Sequence, residues 1–443
     1  MQLRRGCHAG DWPLWGVTMG VTKTGSPMNH DDLPFTGLKV LDCASFIAGP
    51  VAATLLGDLG ADVIKIEPPG GDPNRGLYQL LGCIDPPANF VWDLNARNKR
   101  SLVLDLKQPQ GQAVLHRLAA QADVFICNLP LPVRVRLGID APQLLALNPR
   151  LVYGSMTAYG ETGAEAAKTG FDVTAYWARS GLMDMVRADH TAPPTRPVSG
   201  LGDHPSAVTL FAAISTALYR RERTGRGGLV STSLLANGLW ANAVQVQGQL
   251  SGAVFPPRLG RSLAPNPLSN IYTCADGRWL SLVVLNEQRQ WPALLQALGL
   301  AALLDDPRFA NTASRAANHA ALIALFDAQF AQQPLAHWRP VLDAAGITFG
   351  VVGTLADLPF DQQARDAGAL LPFAHQAGLT VASPICLHRD GHGTPQRPPG
   401  APPGLGQHSV DVLREAGFAT AEIDHLINRQ VVGSALPLPP QEL

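Results

Sequence analysis

Residues 38–67 read LKVLDCASFIAGPVAATLLGDLGADVIKIE, and this stretch decides the fold. The apolar run at 38–44 predicts a buried strand, and Pro50 is well placed in the first turn of a helix that continues over 51–59. The run ADVIKIE at 61–67 predicts a second strand. Strands separated by a helix indicate a parallel sheet with right-handed crossovers, so we expect ligands at the carboxyl ends of the strands.

The same alternation continues along the chain. Further strands are predicted at 101–106, 122–128 and 151–157, with a helix at 110–120. From 171 to about 249 the pattern is mainly helical, with a short strand at 227–231.

A chain of 443 residues is too long for one ordinary core, so we predict more than one domain. The Asp276-Gly277 turn between two strand-like runs predicts a hairpin, and helices are expected at about 287–299 and 317–345. The predicted division is a disordered N-terminal extension at 1–34, a large domain at 35–251, a linker at 252–269, a small domain at 270–345 and a return to the large domain at 346–443.

Composition excludes several classes of function. With 34 basic and 35 acidic residues, the net charge of −1 gives no reason to expect a nucleic-acid or membrane partner. No apolar run reaches the roughly 18 residues that a membrane span needs. The six cysteines, at positions 7, 43, 83, 127, 274 and 386, form no C-x-x-C pair, which favours a reducing, cytoplasmic location. No metal-ligand motif is present, and no metal is expected.

The segment VSGLGDHP at 198–205 places one carboxylate, Asp203, directly before an apolar helix. Asp is a preferred N-cap residue, so a cap for that helix is one interpretation. The other is a nucleophile on glycine-flanked backbone, where a substrate carbonyl can approach and backbone N–H groups can stabilise an oxyanion. The residues alone leave both open.

Four segments together resemble one family. They are the opening stretch with its continuation PPGGDPNR, NARNKRSLVLDLKQPQG at 95–111, LNPRLVYGSMTAYGETG at 147–163, and VSGLGDHPSAV with ALYRRERTGRGG at 198–228. In this order they resemble the class III CoA-transferases, which include formyl-CoA transferase and are related to α-methylacyl-CoA racemase. The resemblance covers about 35 to 425.

The resemblance implies a doubly wound, Rossmann-like α/β large domain built from both chain ends, a smaller α+β domain and an interlocked homodimer. It implies that Asp203 is the nucleophile, that coenzyme A is a co-substrate and that no cofactor is permanently bound. Asp172 would orient the site, although a simple helix cap is an equal alternative. The positions that correspond to the family's CoA contacts are Phe46, Ile47, Ala48, Leu104, Lys107, Asn128, Leu129, Arg136 and Leu137.

The departures from the family pattern leave alternatives. Lys107 and Arg136 suit phosphate groups, but either alone could be a solvated surface charge. A basic residue that the family has after the second strand is Pro68 here, and Arg75 is a candidate substitute. Arg258 and Arg261 stand where formyl-CoA transferase has a glycine lid, and would suit a dicarboxylate such as succinate.

Two other functions compete with CoA transfer. The racemase branch carries Gly-His-Asp where this chain reads Gly170-Phe171-Asp172, and a phenyl ring cannot move a proton. His204 is a conceivable replacement base, although adjacent residues rarely reach opposite faces of one carbon. A non-catalytic CoA-binding protein would need only the nucleotide site.

Overall fold

The computed structural model describes residues 33–80, 88–373, 375, 378–385, 387–389, 392–394 and 396–434. Almost all of the predicted N-terminal extension, and the cysteines at 7, 83 and 386, lie outside the described residues. The strands are β1 Lys39–Asp42, β2 Asp62–Glu67, β3 Lys99–Leu104, β4 Val124–Cys127, β5 Val152–Thr157, β6 Gly228–Ser233, β7 Ser269–Thr273, β8 Trp279–Val283, β9 Phe349–Val351, β10 Leu370–Phe373, β11 Gly378–Val381, β12 Leu387–Arg389, β13 His392–Thr394 and β14 Val432–Gly433.

The α-helices are α1 Ala48–Asp58, α2 Leu77–Leu80, α3 Phe90–Ala96, α4 Pro109–Ala119, α5 Leu131–Arg136, α6 Ala141–Leu147, α7 Leu182–Met185, α8 Asp203–Thr224, α9 Leu234–Ala241, α10 Ala243–Leu250, α11 Glu287–Ala297, α12 Thr312–Ala317, α13 His319–Phe330, α14 Leu335–Ala344, α15 Gln362–Asp366, α16 Ser409–Glu415 and α17 Thr420–Asn428. A π-helix spans Val173–Ala178. None of the helices in the described ranges is both long and apolar enough to cross a membrane.

The main sheet has the strand order β14-β3-β2-β1-β4-β5-β6. Strands β1 to β6 are parallel, and β14 pairs antiparallel with β3. This is the doubly wound order, in which the chain runs outward from β1 and then crosses to β4 on its other side. The predicted α/β fold is confirmed, and a ligand crevice is expected at the carboxyl ends of β1 and β4.

Alternating side chains give the sheet two apolar faces. On one face Val40 and Ile126 pack with α1 and α8, and on the other Leu41 and Phe125 pack with α4, α16 and α17. Because both faces are covered, the strands are nearly continuous apolar runs rather than alternating ones. Helix α1 is buried along its whole length.

The chain after the sheet differs from the prediction in three places. Strand β9 follows Gly346 but pairs with β8, so it extends the hairpin of β7 and β8 instead of the main sheet. The helix expected at 317–345 is two helices, α13 and α14, because the chain turns at Pro334, which precedes the first residue of α14. Helix α17 and strand β14, near the C-terminal end, were not predicted. Since α16, α17 and β14 pack on the main sheet, both chain ends build it.

A buried cluster of four charged side chains lies around Asp42, the last residue of β1. The Lys65 ammonium is 2.6 Å from an Asp72 carboxylate oxygen and 3.7 Å from Asp42, while the Lys99 ammonium is 2.9 Å from Asp42. Lys65 also donates to the Ala44 carbonyl. Burial alone would raise the pKa of Asp42, but the two ammonium groups outweigh it and hold that pKa below its usual value. The four charges therefore compensate one another in the core.

Removing one member of this cluster should be costly, because it leaves its partners as uncompensated buried charges. We expect Lys65→Met to lower the free energy of unfolding by about 3 to 5 kcal/mol, measured by urea denaturation at pH 7. Lys39→Met, at an exposed lysine on β1, is the matched control and should change it by less than about 0.5 kcal/mol. Equal effects of the two substitutions would contradict the assignment.

Candidate active site

The loop between β1 and α1 is held in an unusual conformation. Phe46 has a φ of 64°, in the left-handed region that residues other than glycine rarely adopt. Its N–H donates to an Asp72 carboxylate oxygen at 3.1 Å, and its carbonyl accepts from the Asn74 amide at 2.6 Å. The Asn128 side chain accepts from the Ser45 N–H at 2.8 Å and donates to the Ser45 carbonyl at 2.7 Å. Contacts from two other strand ends thus fix the loop.

Asp203 is the first residue of α8, and Gly202, not Asp203, occupies the N-cap position. The helix-cap interpretation of Asp203 is therefore wrong. Among the described residues no hydrogen bond to the Asp203 carboxylate is found, and this side chain lines a cavity. Burial, with a smaller contribution from the nearby Asp172 charge, raises the pKa of Asp203 to about 7. A poorly solvated carboxylate with a raised pKa has the character of a nucleophile or general base.

Asp172 is the residue that holds the Asp203 loop in place. It is 3% exposed, and one of its oxygens accepts from the N–H groups of Gly200 at 2.8 Å and Gly202 at 3.2 Å. The other oxygen accepts from the Val173 N–H at 2.7 Å and so caps the π-helix. Asp172 thus both caps a helix and binds the loop that carries Asp203, and its role in orienting the site for catalysis stays a prediction.

The amides around Asp203 are largely occupied. The N–H groups of Gly200 and Gly202 bond to Asp172, and those of Asp203 and His204 donate to the Gly200 carbonyl at 3.1 and 3.4 Å. The expectation that these amides would stabilise an oxyanion is therefore not supported by the geometry of the loop. Glycine is needed at 202 for another reason, since a Cβ there would lie 2.6 Å from the Tyr176 ring.

Two cavities meet beneath the loop after β1. The acid cavity, as we name the one that Asp203 lines, has a volume of about 220 Å³. The nucleotide cleft, along the ends of β2, β3 and β4, has a volume of about 760 Å³. Ser45 and Leu129 line both.

All nine predicted CoA contacts line one or both of these cavities. Phe46, Ile47, Ala48 and Asn128 line the acid cavity, Leu129 lines both, and Leu104, Lys107, Arg136 and Leu137 line the nucleotide cleft. Residues separated by up to 91 positions in sequence are thus brought together at the switch point of the sheet. The CoA contacts stay predictions, with a geometry that suits them.

Three arginines considered for anion binding have other partners. Arg75 pairs with Glu67 at 2.7 Å and lies over the Trp92 ring at 3.9 Å, so it does not replace the missing basic residue at Pro68. Arg261 forms a double hydrogen bond with Asp327 at 2.8 and 2.9 Å. Arg258 donates to the Met185 carbonyl at 2.5 Å. None of the three lines either cavity.

His204 and Phe171 differ in their relation to the acid cavity. Phe171 lines it and forms an edge-to-face contact with Phe46, with ring centroids 5.8 Å apart. His204 does not line it, and its Nδ1 is 3.3 Å from the Gly200 carbonyl. Burial lowers the pKa of His204, so the ring is neutral at pH 7. His204 therefore does not supply a second base for the racemase reaction at the wall of this cavity.

Sequence reasoning missed four polar residues of the acid cavity, namely Ser45, Thr157, Lys168 and Thr169. Ser45 lies at its junction with the nucleotide cleft, and Lys168 lines it from the loop that follows β5. The position of Lys168 four residues before Asp172 was the available signal. Within the described ranges, no group of three or more His, Cys, Asp or Glu residues could hold a metal ion.

Loss of the Asp172 charge should alter both the loop and Asp203. We expect Asp172→Asn to lower the free energy of unfolding by about 1 to 3 kcal/mol, since an amide nitrogen would face backbone donors. It should also lower the pKa of Asp203, measured by ¹³C NMR titration of the aspartate carboxyls, because a neighbouring negative charge is removed. Asp189→Asn, in a surface turn where Asp189 accepts from two backbone N–H groups, is the control and should leave that pKa unchanged. An unchanged Asp203 titration in the Asp172 variant would contradict the assigned coupling.

Comparisons with known proteins agree with this geometry. Residues 35–409 match the profile of CoA-transferase family III. The chain is 30% identical over 405 residues to (R)-2-hydroxy-4-methylpentanoate CoA-transferase of Clostridioides difficile, covering 89% of this chain and 98% of that protein. It is 29% identical over 397 residues to succinyl-CoA:glutarate CoA-transferase of Mus musculus, covering 88% and 89% of the two chains.

The fold has a solved counterpart. The crystal structure of a CAIB/BAIF family protein from Brucella suis superposes with a TM-score of 0.75 at 29% identity, covering 87% of this chain and 99% of that one. The family match spans the six parallel strands of the main sheet, the acid cavity and the nucleotide cleft. The chain therefore belongs to CoA-transferase family III.

Proposed function

We propose that this protein transfers coenzyme A from an acyl-CoA to a second carboxylic acid by covalent catalysis at Asp203. The observation that carries the proposal is the position of the Asp203 carboxylate, which faces the acid cavity without a hydrogen-bond partner among the described residues. CoA-transferase activity is what the family match and the named relatives support. The residue and the steps are our own assignment.

The first half of the reaction releases the donor acid. The Asp203 carboxylate attacks the thioester carbonyl, which breaks the C–S bond and gives a mixed anhydride and CoA thiolate. The thiolate then attacks the Asp203 carbonyl carbon, which gives an aspartyl-CoA thioester and frees the donor as a carboxylate. The energy of the thioester is kept, because each intermediate is itself activated.

The second half repeats these steps with the acceptor. The acceptor carboxylate attacks the aspartyl thioester and expels CoA thiolate, and the thiolate attacks the acceptor's acyl carbon. The products are a new acyl-CoA and the regenerated Asp203 carboxylate. Water would hydrolyse the intermediates, so a small, mainly apolar cavity suits this chemistry.

The nucleotide cleft suits the rest of coenzyme A. Lys107 and Arg136 line it and can each contact a phosphate, while Leu104 and Leu137 offer apolar surface. Because Ser45 and Leu129 line both cavities, a CoA in the cleft can reach the acid cavity with its thiol end. We propose a dicarboxylyl-CoA, such as succinyl-CoA, as one donor, and a homodimer as the working form.

Loss of the nucleophile should abolish transfer while binding of CoA persists. We expect Asp203→Asn to reduce kcat by at least about 10³-fold, and the Kd for CoA, from calorimetry, to change by less than about threefold. Wild-type protein incubated with acyl-CoA donors and then hydroxylamine should carry one hydroxamate, which mass spectrometry places on the peptide containing Asp203. A hydroxamate on another carboxylate would refute the assignment. Rapid exchange of the α-proton without an acceptor acid would favour the racemase reaction. Binding of CoA without any turnover would favour a non-catalytic CoA-binding protein.

The pH profile should report the same carboxylate. Only the ionised Asp203 is a nucleophile, and its pKa is raised to about 7 by burial and by Asp172. We therefore expect kcat/KM to rise about tenfold per pH unit below this pKa and to level off above it. The measurement is initial rates between pH 5 and 9 with enzyme stability checked at each pH. A profile that is flat from pH 5 to 8 would rule out a nucleophile with this pKa.

A further inference from the structure

The acid cavity contains one cation in addition to the nucleophile. Among its lining residues in the described part of the chain, Asp203 and Lys168 are the only ionisable side chains. Most of the remaining wall is apolar, and includes Phe46, Phe171 and Leu234. A substrate of this small cavity must therefore fit an apolar wall that has one acidic and one basic group.

The loop that carries Lys168 is fixed against the end of β5. Gly170 lies so close to this end that a Cβ there would be 2.8 Å from the Ala158 Cβ and 2.9 Å from the Tyr159 ring. Beyond it, the buried Asp172 binds the Gly200–Gly202 loop that presents Asp203. The backbone segments that carry Lys168 and Asp203 are thus tied together.

The Lys168 ammonium is only loosely engaged. Its side chain is 54% exposed and lies 3.0 Å from a Glu165 carboxylate oxygen and 5.4 Å from the Tyr159 ring centroid. Glu165 has a second partner, because Arg179 lies 3.3 Å from its other oxygen. An exposed pair of this kind contributes little stability, so a substrate anion can take the place of Glu165 at low cost.

Lys168 also does not neutralise Asp203. No ion pair joins the two within the described ranges, and the pKa of Asp203 is raised, not lowered. Lys168 lines the same small cavity and is not paired with Asp203, so it is available to a second negative group.

Building on the function proposed above, we propose that Lys168 binds the free carboxylate of a dicarboxylic acid whose other carboxyl group reacts at Asp203. Lys168 is then a specificity-determining residue. A monocarboxylic acid of the same length places a methyl group at the ammonium and leaves the cation without this partner. The enzyme therefore selects dicarboxylates.

The test compares succinyl-CoA with butyryl-CoA, which differ by a terminal carboxylate in place of a methyl group. Wild-type enzyme should show at least about tenfold higher kcat/KM with succinyl-CoA, the value of one charge-assisted hydrogen bond. Lys168→Met should reduce kcat/KM for succinyl-CoA about tenfold and leave that for butyryl-CoA within about twofold, and Lys168→Arg should keep most of the preference.

Two further variants separate recognition from loop structure. Lys39→Met changes an exposed lysine that lines neither cavity, so it is the control and should leave the succinyl-to-butyryl ratio unchanged. Glu165→Gln frees Lys168 from its competitor and should lower the KM for succinyl-CoA about two- to threefold.

The outcomes are distinct. A wild-type preference for butyryl-CoA, use of neither donor, or an equal loss with both donors in Lys168→Met would overturn the role of Lys168. The function proposed for Asp203 fails separately, if no donor of a wider panel leaves a hydroxamate on the Asp203 peptide. If butyryl-CoA labels Asp203 and succinyl-CoA does not, the assignment of Asp203 as the nucleophile stands and the assignment of Lys168 as the carboxylate-binding residue fails.

Discussion

The buried contact between Lys65 and Asp72 is the constraint on which the site depends. Lys65 lies in the central part of the sheet, and its ammonium also donates to the Ala44 carbonyl at the start of the loop after β1. Asp72 uses its other oxygen to hold Phe46 in a left-handed conformation. A buried ion pair seldom adds net stability, but it defines geometry strictly, because any displaced member becomes an unpaired charge in the core. The position of the loop after β1, which lies between the two cavities, is therefore strictly defined.

Asp172 repeats this principle on the other side of the acid cavity. There a buried carboxylate is balanced by backbone N–H groups instead of an ammonium, so its negative charge remains to act on Asp203. The first cluster positions a loop with its charges compensated, whereas Asp172 positions a loop and adds to the raised pKa of Asp203, which burial mainly causes. One residue thus contributes both to the placement of Asp203 and to its pKa.

The sequence allowed most of the fold and the main candidate residue to be predicted. Apolar runs such as 38–44 and 61–67 predicted the strands, because a doubly covered sheet demands them. The contacts that shape the site could not be predicted this way. Lys65 interrupts an apolar strand, and the neighbouring sequence does not indicate its partners. Phe46 has a left-handed backbone conformation, which an aromatic residue in the sequence does not predict. For Arg261 the sequence suggested a free cation that could bind a substrate. In the structure it is paired with Asp327, 66 residues away in sequence.

The separation of the two cavities has a consequence for how this family can change substrate. The nucleotide cleft is built from the carboxyl ends of β2, β3 and β4, whereas the acid cavity depends on the loop from Ala158 to Phe171. On the function proposed above, coenzyme A occupies the nucleotide cleft in every transfer, so that cleft can stay constant while the loop varies. The limit is Asp172, which follows this loop and accepts from the N–H groups of Gly200 and Gly202 next to Asp203. On the roles proposed for Lys168 and Asp203, substitutions before Asp172 can change the acid that is selected with little effect on Asp203, whereas substitutions at Asp172 also displace the Asp203 loop.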